Sequence, residues 1–121
     1  MTKQYLKPAL AGIIAAVSNN GVGIAGVKGF ARSASFAMGK FALRGLAQSL
    51  ARELGPQGIH VGHVIVDGLI RSSAPPGAEL PPEADSQLDP DAIARTYLHL
   101  LSQHRSAWTW EIDLRPWSER F

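Results

Sequence analysis

The chain has 121 residues, of which 45% are hydrophobic, 18% charged and 7% aromatic, with a formal net charge of +2. This is the composition of one globular domain, too apolar for a disordered segment and too short for two full domains. With no cysteine, disulfide frameworks, zinc ribbons and thiol catalysis are excluded, and a reducing, cytoplasmic setting is expected.

The first element in chain order is Ala11–Val17, a continuous apolar run of the kind found in strands covered on both faces. With Ala9 and Leu10 it is still far shorter than the roughly 20 residues of a membrane span, and no cleavage site follows. Neither membrane insertion nor export is therefore expected. Ser18-Asn-Asn-Gly-Val-Gly23 is a cluster of turn formers. Residues 24–54 are helix-compatible, but one unbroken helix would be about 45 Å long at roughly 1.5 Å per residue and would overshoot the sheet. A break is expected near Arg32–Ser35, with Ser33 or Ser35 capping a second helix.

That second helix carries Leu43, Leu46, Leu50 and Leu54 on one predicted face and ends at Gly55-Pro56, with Gly55 in the left-handed position. Ile59–Val66 is rich in β-branched residues and reads as a strand. Residues 67–88 hold two Pro-Pro pairs and read as a long loop. Asp89-Pro90 starts another helix, whose buried side is Ile93, Tyr97, Leu100 and Leu101. Trp108–Leu114 alternates and reads as the last strand. Strand, helix, strand, helix, strand predicts an α/β layer of parallel strands joined by right-handed crossovers.

The chemistry-bearing residues gather after the first strand. Gly21 and Gly23 precede a helix, where bare backbone can admit phosphate oxygens, and Gly21-Val-Gly-Ile-Ala-Gly26 satisfies G-x-G-x-x-G literally. Glycines that merely permit tight packing are an equal explanation. The acidic residue expected some 20 residues further on is absent. Residues 1–60 carry seven Lys or Arg against Glu53 alone, but the bases are scattered and no nucleic-acid footprint results.

Ala16-Val-Ser-Asn-Asn-Gly-Val-Gly23 resembles the T-G-x-x-x-G-x-G cofactor loop of short-chain dehydrogenases/reductases, with Ala16 and Val17 replacing Thr-Gly. Phe36-Ala-Met-Gly-Lys40 and the helix up to Leu54 resemble that family's Y-x-x-x-K helix. Gly58-Ile-His-Val and Asp67-Gly-Leu-Ile-Arg-Ser72 resemble its next strand and its P-G-x-I-x-T loop. Leu88–Ala94 and the stretch up to Arg115-Pro-Trp117 are similar to the C-terminal end of some bacterial members. Such enzymes are about twice as long, and the middle of their fold has no counterpart here. A second alignment sets residues 12–18 on the family's fifth strand, with Ser18 near the catalytic serine. The spacing to Phe36 is then several residues too long, so the first alignment is preferred.

The resemblance implies one reduced Rossmann-like domain over residues 1–121: a three-layer α/β fold of about three mostly parallel strands with crossover helices. Residues 11–33 would be the cofactor-loop segment and 34–121 the C-terminal half. It implies NAD or NADP as cofactor, with Ser18, Asn19, Asn20, Gly21, Val22 and Gly23 on the pyrophosphate, Lys40 on the ribose, and Ile70 and Ser72 at the carboxamide end. The reaction implied is hydride transfer with a small carbonyl or alcohol substrate, impaired because Phe36 has no hydroxyl with which to act as acid or base. Two alternatives stand beside it: a silent dinucleotide-binding or interaction module, and a fragment that needs a partner chain.

Other candidates carry less. His60 and His63 lie on opposite faces of one strand, a poor geometry for a shared metal, so no metal site is expected. His99 and His104 suit a helix surface and its end. Asp89 is a cap, and Trp108, Trp110 and Trp117 suit packing or an interface. Three strands and two helices bury little and leave open sheet edges. Homo-oligomerisation through an edge strand or the Leu43–Leu54 helix is therefore expected.

Overall fold

Three apolar segments form one parallel sheet in the computed structural model, which describes residues 27–72 and 74–120 in full and residues 11–17 by their backbone. The strands are Ala11–Val17 (β1), His60–Val66 (β2) and Glu111–Leu114 (β3), in spatial order β1-β2-β3. Ala11 pairs with His60 and Val17 with Val66, while His63 pairs with Glu111 and Val66 with Leu114. β2 is central and buried along its whole length, as an all-β-branched, glycine and histidine strand covered on both faces must be. The last strand is shorter than predicted: its pairing with β2 starts at the Trp110 carbonyl, which accepts from the His63 N–H at 2.8 Å, and the Trp108 and Trp110 rings stack on His60 and His63.

Helix α1, Ala34–Leu54, crosses from β1 to β2, and helix α2, Pro90–Ser102, crosses from β2 to β3. Alternation along β2 assigns each helix to a face. Val64 and Val66 pack with Leu88, Leu100, Ile93 and Tyr97 on the α2 side. His63 points the other way, toward the Glu111 carboxylate that Arg44 of α1 holds. The fold is thus three layers, α1, sheet and α2, as the sequence predicts. Both connections step across the sheet in the same direction while their helices lie on opposite faces. The crossovers are therefore opposite in hand, and the expectation of two right-handed ones fails for one of them.

Several local expectations are also corrected. Residues 27–33 form a bend and a turn rather than a first helix, with Arg32 in the left-handed region at φ 65°. Ser33 stands at the N-cap of α1 without capping it. Its hydroxyl instead donates to the Phe30 carbonyl at 2.7 Å and accepts from the Phe30 N–H, closing the turn. On α1 the inward row is Phe36, Lys40, Leu43, Ala47, Leu50 and Leu54, and Leu46 faces outward at 53% exposure. Gly55 stays right-handed in a short 3-10 turn, and Gly58, at φ 80°, makes the left-handed reversal into β2. Asp89 caps α2 as predicted, accepting from the Asp91 N–H at 2.9 Å, whereas Leu101 is exposed. The long loop is not featureless: Ile70 bridges Leu88, and Arg71 pairs with Asp89 at 3.2 Å, so its two ends are clamped together.

Candidate active site

In a strand-helix-strand crossover the helix starts where the first strand ends and runs back antiparallel to it. The amino end of α1, the segment after β2, the start of α2 and the segment after β3 therefore all collect at the carboxyl end of the sheet. Ligands of open α/β sheets bind at that end.

Phe36 and Lys40 lie one turn apart on the inward row of α1. The Lys40 ammonium rests over the Phe36 ring, 5.3 Å from its centroid. No carboxylate among the described residues comes within ion-pair distance of it. Burial pushes the Lys40 pKa below the usual lysine value, because the charged form loses hydration without gaining a counter-ion. A neutral ring is a weak substitute for water, so this cation is poised to give its hydrogen bonds to something else.

Ile70 and Ser72 follow β2 at the same end. Ile70 packs its side chain toward the core cluster, and Ser72 is exposed. Ser18, Asn19, Asn20, Gly21, Val22 and Gly23 lie outside the described residues. Between them, Lys40, Ile70 and Ser72 are brought to one end of the sheet by topology.

The residue pair that sequence reasoning missed is Asp67 and Arg115. Asp67 ends β2 with a wholly buried side chain, and one of its oxygens accepts from Arg115, which also pairs with Asp113 at 2.9 Å. The other oxygen, Oδ1, is buried without a partner, a costly condition for a carboxylate. The available signal was an acidic residue terminating an apolar strand, at the position where the resembled loop has proline. The residues following the pair approach each other closely: a Cβ on Gly68, at φ 148°, would come within 2.7 Å of Pro116 Cδ.

Two clefts open beside this end. One of about 200 Å³ lies under the loop, against Arg71, Leu80, Asp89 and Asp91. The other, of about 240 Å³, lies between α2 and β3, against Ile93, Thr96, Asp113 and Arg115. Both fall below the roughly 300 Å³ where small-molecule pockets begin, so neither encloses a whole dinucleotide.

The remaining candidates are structural. His63 is fully buried and donates from Nδ1 to Glu111 Oε2 at 3.0 Å. His60 donates from Nε2 to the Thr109 carbonyl at 2.8 Å and stacks on Trp108. The two rings occupy opposite faces, as alternation dictates. His99 is exposed on α2, and His104 accepts from the Ser106 N–H at the following turn. Trp117 is exposed, with its indole N–H donated to Asp85.

Comparison with solved structures finds a short-chain dehydrogenase from Rhodopseudomonas palustris, similar over 91% of this chain with a TM-score of 0.61 and 33% sequence identity. The chain spans 40% of the length of that protein. No family model and no curated protein matches.

Proposed function

We propose that this chain is a short-chain-dehydrogenase-like oxidoreductase unit that transfers a hydride between NAD(P) and a small carbonyl or alcohol, with its acid-base step impaired. The observation carrying this reading is Lys40. It is a half-buried, unneutralised ammonium one turn from residue 36, at the ligand-binding end of a parallel sheet, in a chain similar to a short-chain dehydrogenase. The donor set fits a nicotinamide dinucleotide in that respect, because an ammonium without a carboxylate can donate to ribose hydroxyls. When bound, the nicotinamide supplies or accepts the hydride. Lys40 would hold the ribose, and Ile70 and Ser72 would stand at the carboxamide end. Phe36, without a hydroxyl, can only pack. General acid–base groups contribute typically about 10²–10⁴-fold, which sets the scale of the impairment.

Strand adjacency supports one of the two alignments over the other. In the Rossmann order 3-2-1-4-5-6, the fifth and sixth strands are neighbours and the first and sixth are not. β1 pairs directly with β2, which supports reading them as fifth and sixth, the alignment that sets Ser18, outside the described residues, against the family's catalytic serine rather than Ser18–Gly23 against its pyrophosphate loop. The spacing objection is eased by residues 27–33, whose turn absorbs length that a helix would have carried forward.

A second reading, a silent nucleotide-binding module, is favoured by Phe36 itself. Titration of NADH and NADPH fluorescence, with and without a simple aldehyde, separates the two. Binding with slow turnover supports the first reading, and binding without turnover supports the second. No fluorescence change at millimolar cofactor removes both. We further infer self-association, because the outward face of α1 presents Met38, Phe41 and Leu46 to solvent. A cytoplasmic location accords with the lack of cysteine. No helix among the described residues is long and apolar enough to cross a membrane.

A further inference from the structure

Resting on the self-association reading, we propose that two copies of this chain join β1 to β1 in antiparallel register about a two-fold axis at Ile14. The joined strands make one continuous sheet, with the two α1 helices packed side by side on one face.

The two edges of the three-stranded sheet differ. β3 is four residues long, carries Glu111 and Asp113, and runs into Pro116; shortness, charge and proline are devices by which edge strands resist pairing. β1 is seven residues long, holds neither charge nor proline, and among the described residues pairs only with β2. In the Rossmann order the fifth strand has a neighbour on each side, and the described residues offer β1 only one.

The geometry of α1 favours a second copy as the missing neighbour. His63 pairs in register with Ile14 on one side and with Glu111 on the other, and Arg44 bonds Glu111. The middle of α1 thus stands near the level of Ile14, the middle of β1. A two-fold axis perpendicular to the sheet keeps both faces, so it must set one residue opposite itself, and Ile14 is the central one of the seven. Because α1 packs on both β1 and β2, its axis lies about one strand spacing, ~4.8 Å, from that two-fold. The two helices then run antiparallel about 10 Å apart, a usual packing distance.

Arg44 also fixes which flank of α1 faces the partner. It leans toward β3, so at about 3.6 residues per turn the opposite flank carries Ser35, Gly39, Ala42, Leu46 and Glu53, all exposed. A Cβ on Gly39 would meet nothing within 4 Å, so nothing among the described residues calls for glycine there, where it weakens the helix. A crossing between Ala42 and Leu43 sets Leu46 against the partner's Gly39 and Glu53 against the partner's Arg32. Glu53 is the only acid in residues 1–60. Neither it nor Arg32 is in an ion pair among the described residues. An antiparallel copy joins these opposite charges twice, which a parallel one does not. The two candidate sites then lie at opposite ends of the joined sheet.

The chain has no native cysteine, so single thiols report the seam. Directly opposed antiparallel residues stand about 4.5–5.5 Å apart at Cα, within disulfide range. I14C is expected to oxidise to a covalent dimer about tenfold or more faster than Q57C, which lies away from the axis. By sedimentation, G39L is expected to raise the dimer dissociation constant about tenfold or more, with far-ultraviolet circular dichroism unchanged. R32E and E53R are each expected to raise it about threefold, and R32E/E53R to restore it. A dimer that I14C links no faster than Q57C, that G39L leaves intact, or that the double swap fails to restore overturns this proposal alone and gives the β1 edge to another occupant. A wild-type monomer at micromolar concentration overturns it together with the self-association reading.

Discussion

Arg44 on α1 donates to both carboxylate oxygens of Glu111 on β3, at 2.7 and 2.8 Å, across a sequence separation of 67 residues. The same carboxylate accepts from the buried His63 on β2. One acidic side chain thus ties together a helix, the central strand and the four-residue strand at the sheet edge.

That junction makes stability pH-dependent. The Arg44 hydrogen bonds hold the Glu111 pKa below the usual carboxylate value, with burial opposing and His63 adding to the shift. A depressed carboxylate stabilises the fold above its unfolded pKa, and the contribution is lost as pH falls through the folded value. E111Q is expected to cost about 1–2 kcal/mol at neutral pH, discounted because Arg44 is partly solvated, and to flatten the acid limb of the stability curve. Urea unfolding between about pH 7 and 3 checks this. An acid limb as steep in E111Q as in wild type contradicts it.

The inward face of α1 and the core under α2 differ from what leucine spacing alone suggests. Leu100 is 2% exposed against Val64 and Val66, whereas Leu46 is mostly in water. L100A is expected to lose about 2–5 kcal/mol, and L46A less than about 0.5 kcal/mol. Denaturant midpoints measure both, and equal losses would restore the sequence-based face.

The sheet, its parallel order and the second helix were legible because β-branched runs, Gly-Pro stops and the Asp89-Pro90 start are local signals. The inward row of α1 was not. It admits Lys40, whose head lies over the Phe36 ring one turn away, and Arg44 flanks it, held for a long-range reason by Glu111, 67 residues on. Asp67 was passed over for the same reason, since its partner Arg115 is 48 residues away. At the candidate site, the Phe36–Lys40 spacing was readable, but the lack of any counter-ion required knowing where Glu111 and Asp67 are spent. Crossover hand was unreadable because it depends on which face each helix covers.

Two left-handed glycines separate backbone strain from crowding. At Gly58 a Cβ would meet open space, so G58A is expected to cost about 1–2 kcal/mol from its φ of 80° alone. At Gly68 the same change adds a clash with Pro116, and G68A is expected to destabilise more. Thermal unfolding of the pair decides; G68A no worse than G58A would mean that the Pro116 contact yields freely.

Self-association through the outer face of α1 predicts a dimer at micromolar concentration by sedimentation. M38E with L46E is expected to shift it to monomer while leaving far-ultraviolet circular dichroism unchanged. A wild-type monomer, or a dimer indifferent to both changes, contradicts that interface.

The central claim is that a nicotinamide dinucleotide meets this chain at the carboxyl end of its sheet. Backbone amide NMR during NADPH titration tests it most directly. Shifts are expected at Phe36, Lys40 and Asp67 to Ser72, with Gly58 and His60 at the opposite end unmoved. Shifts confined to that opposite end, or none at millimolar NADPH, would contradict it.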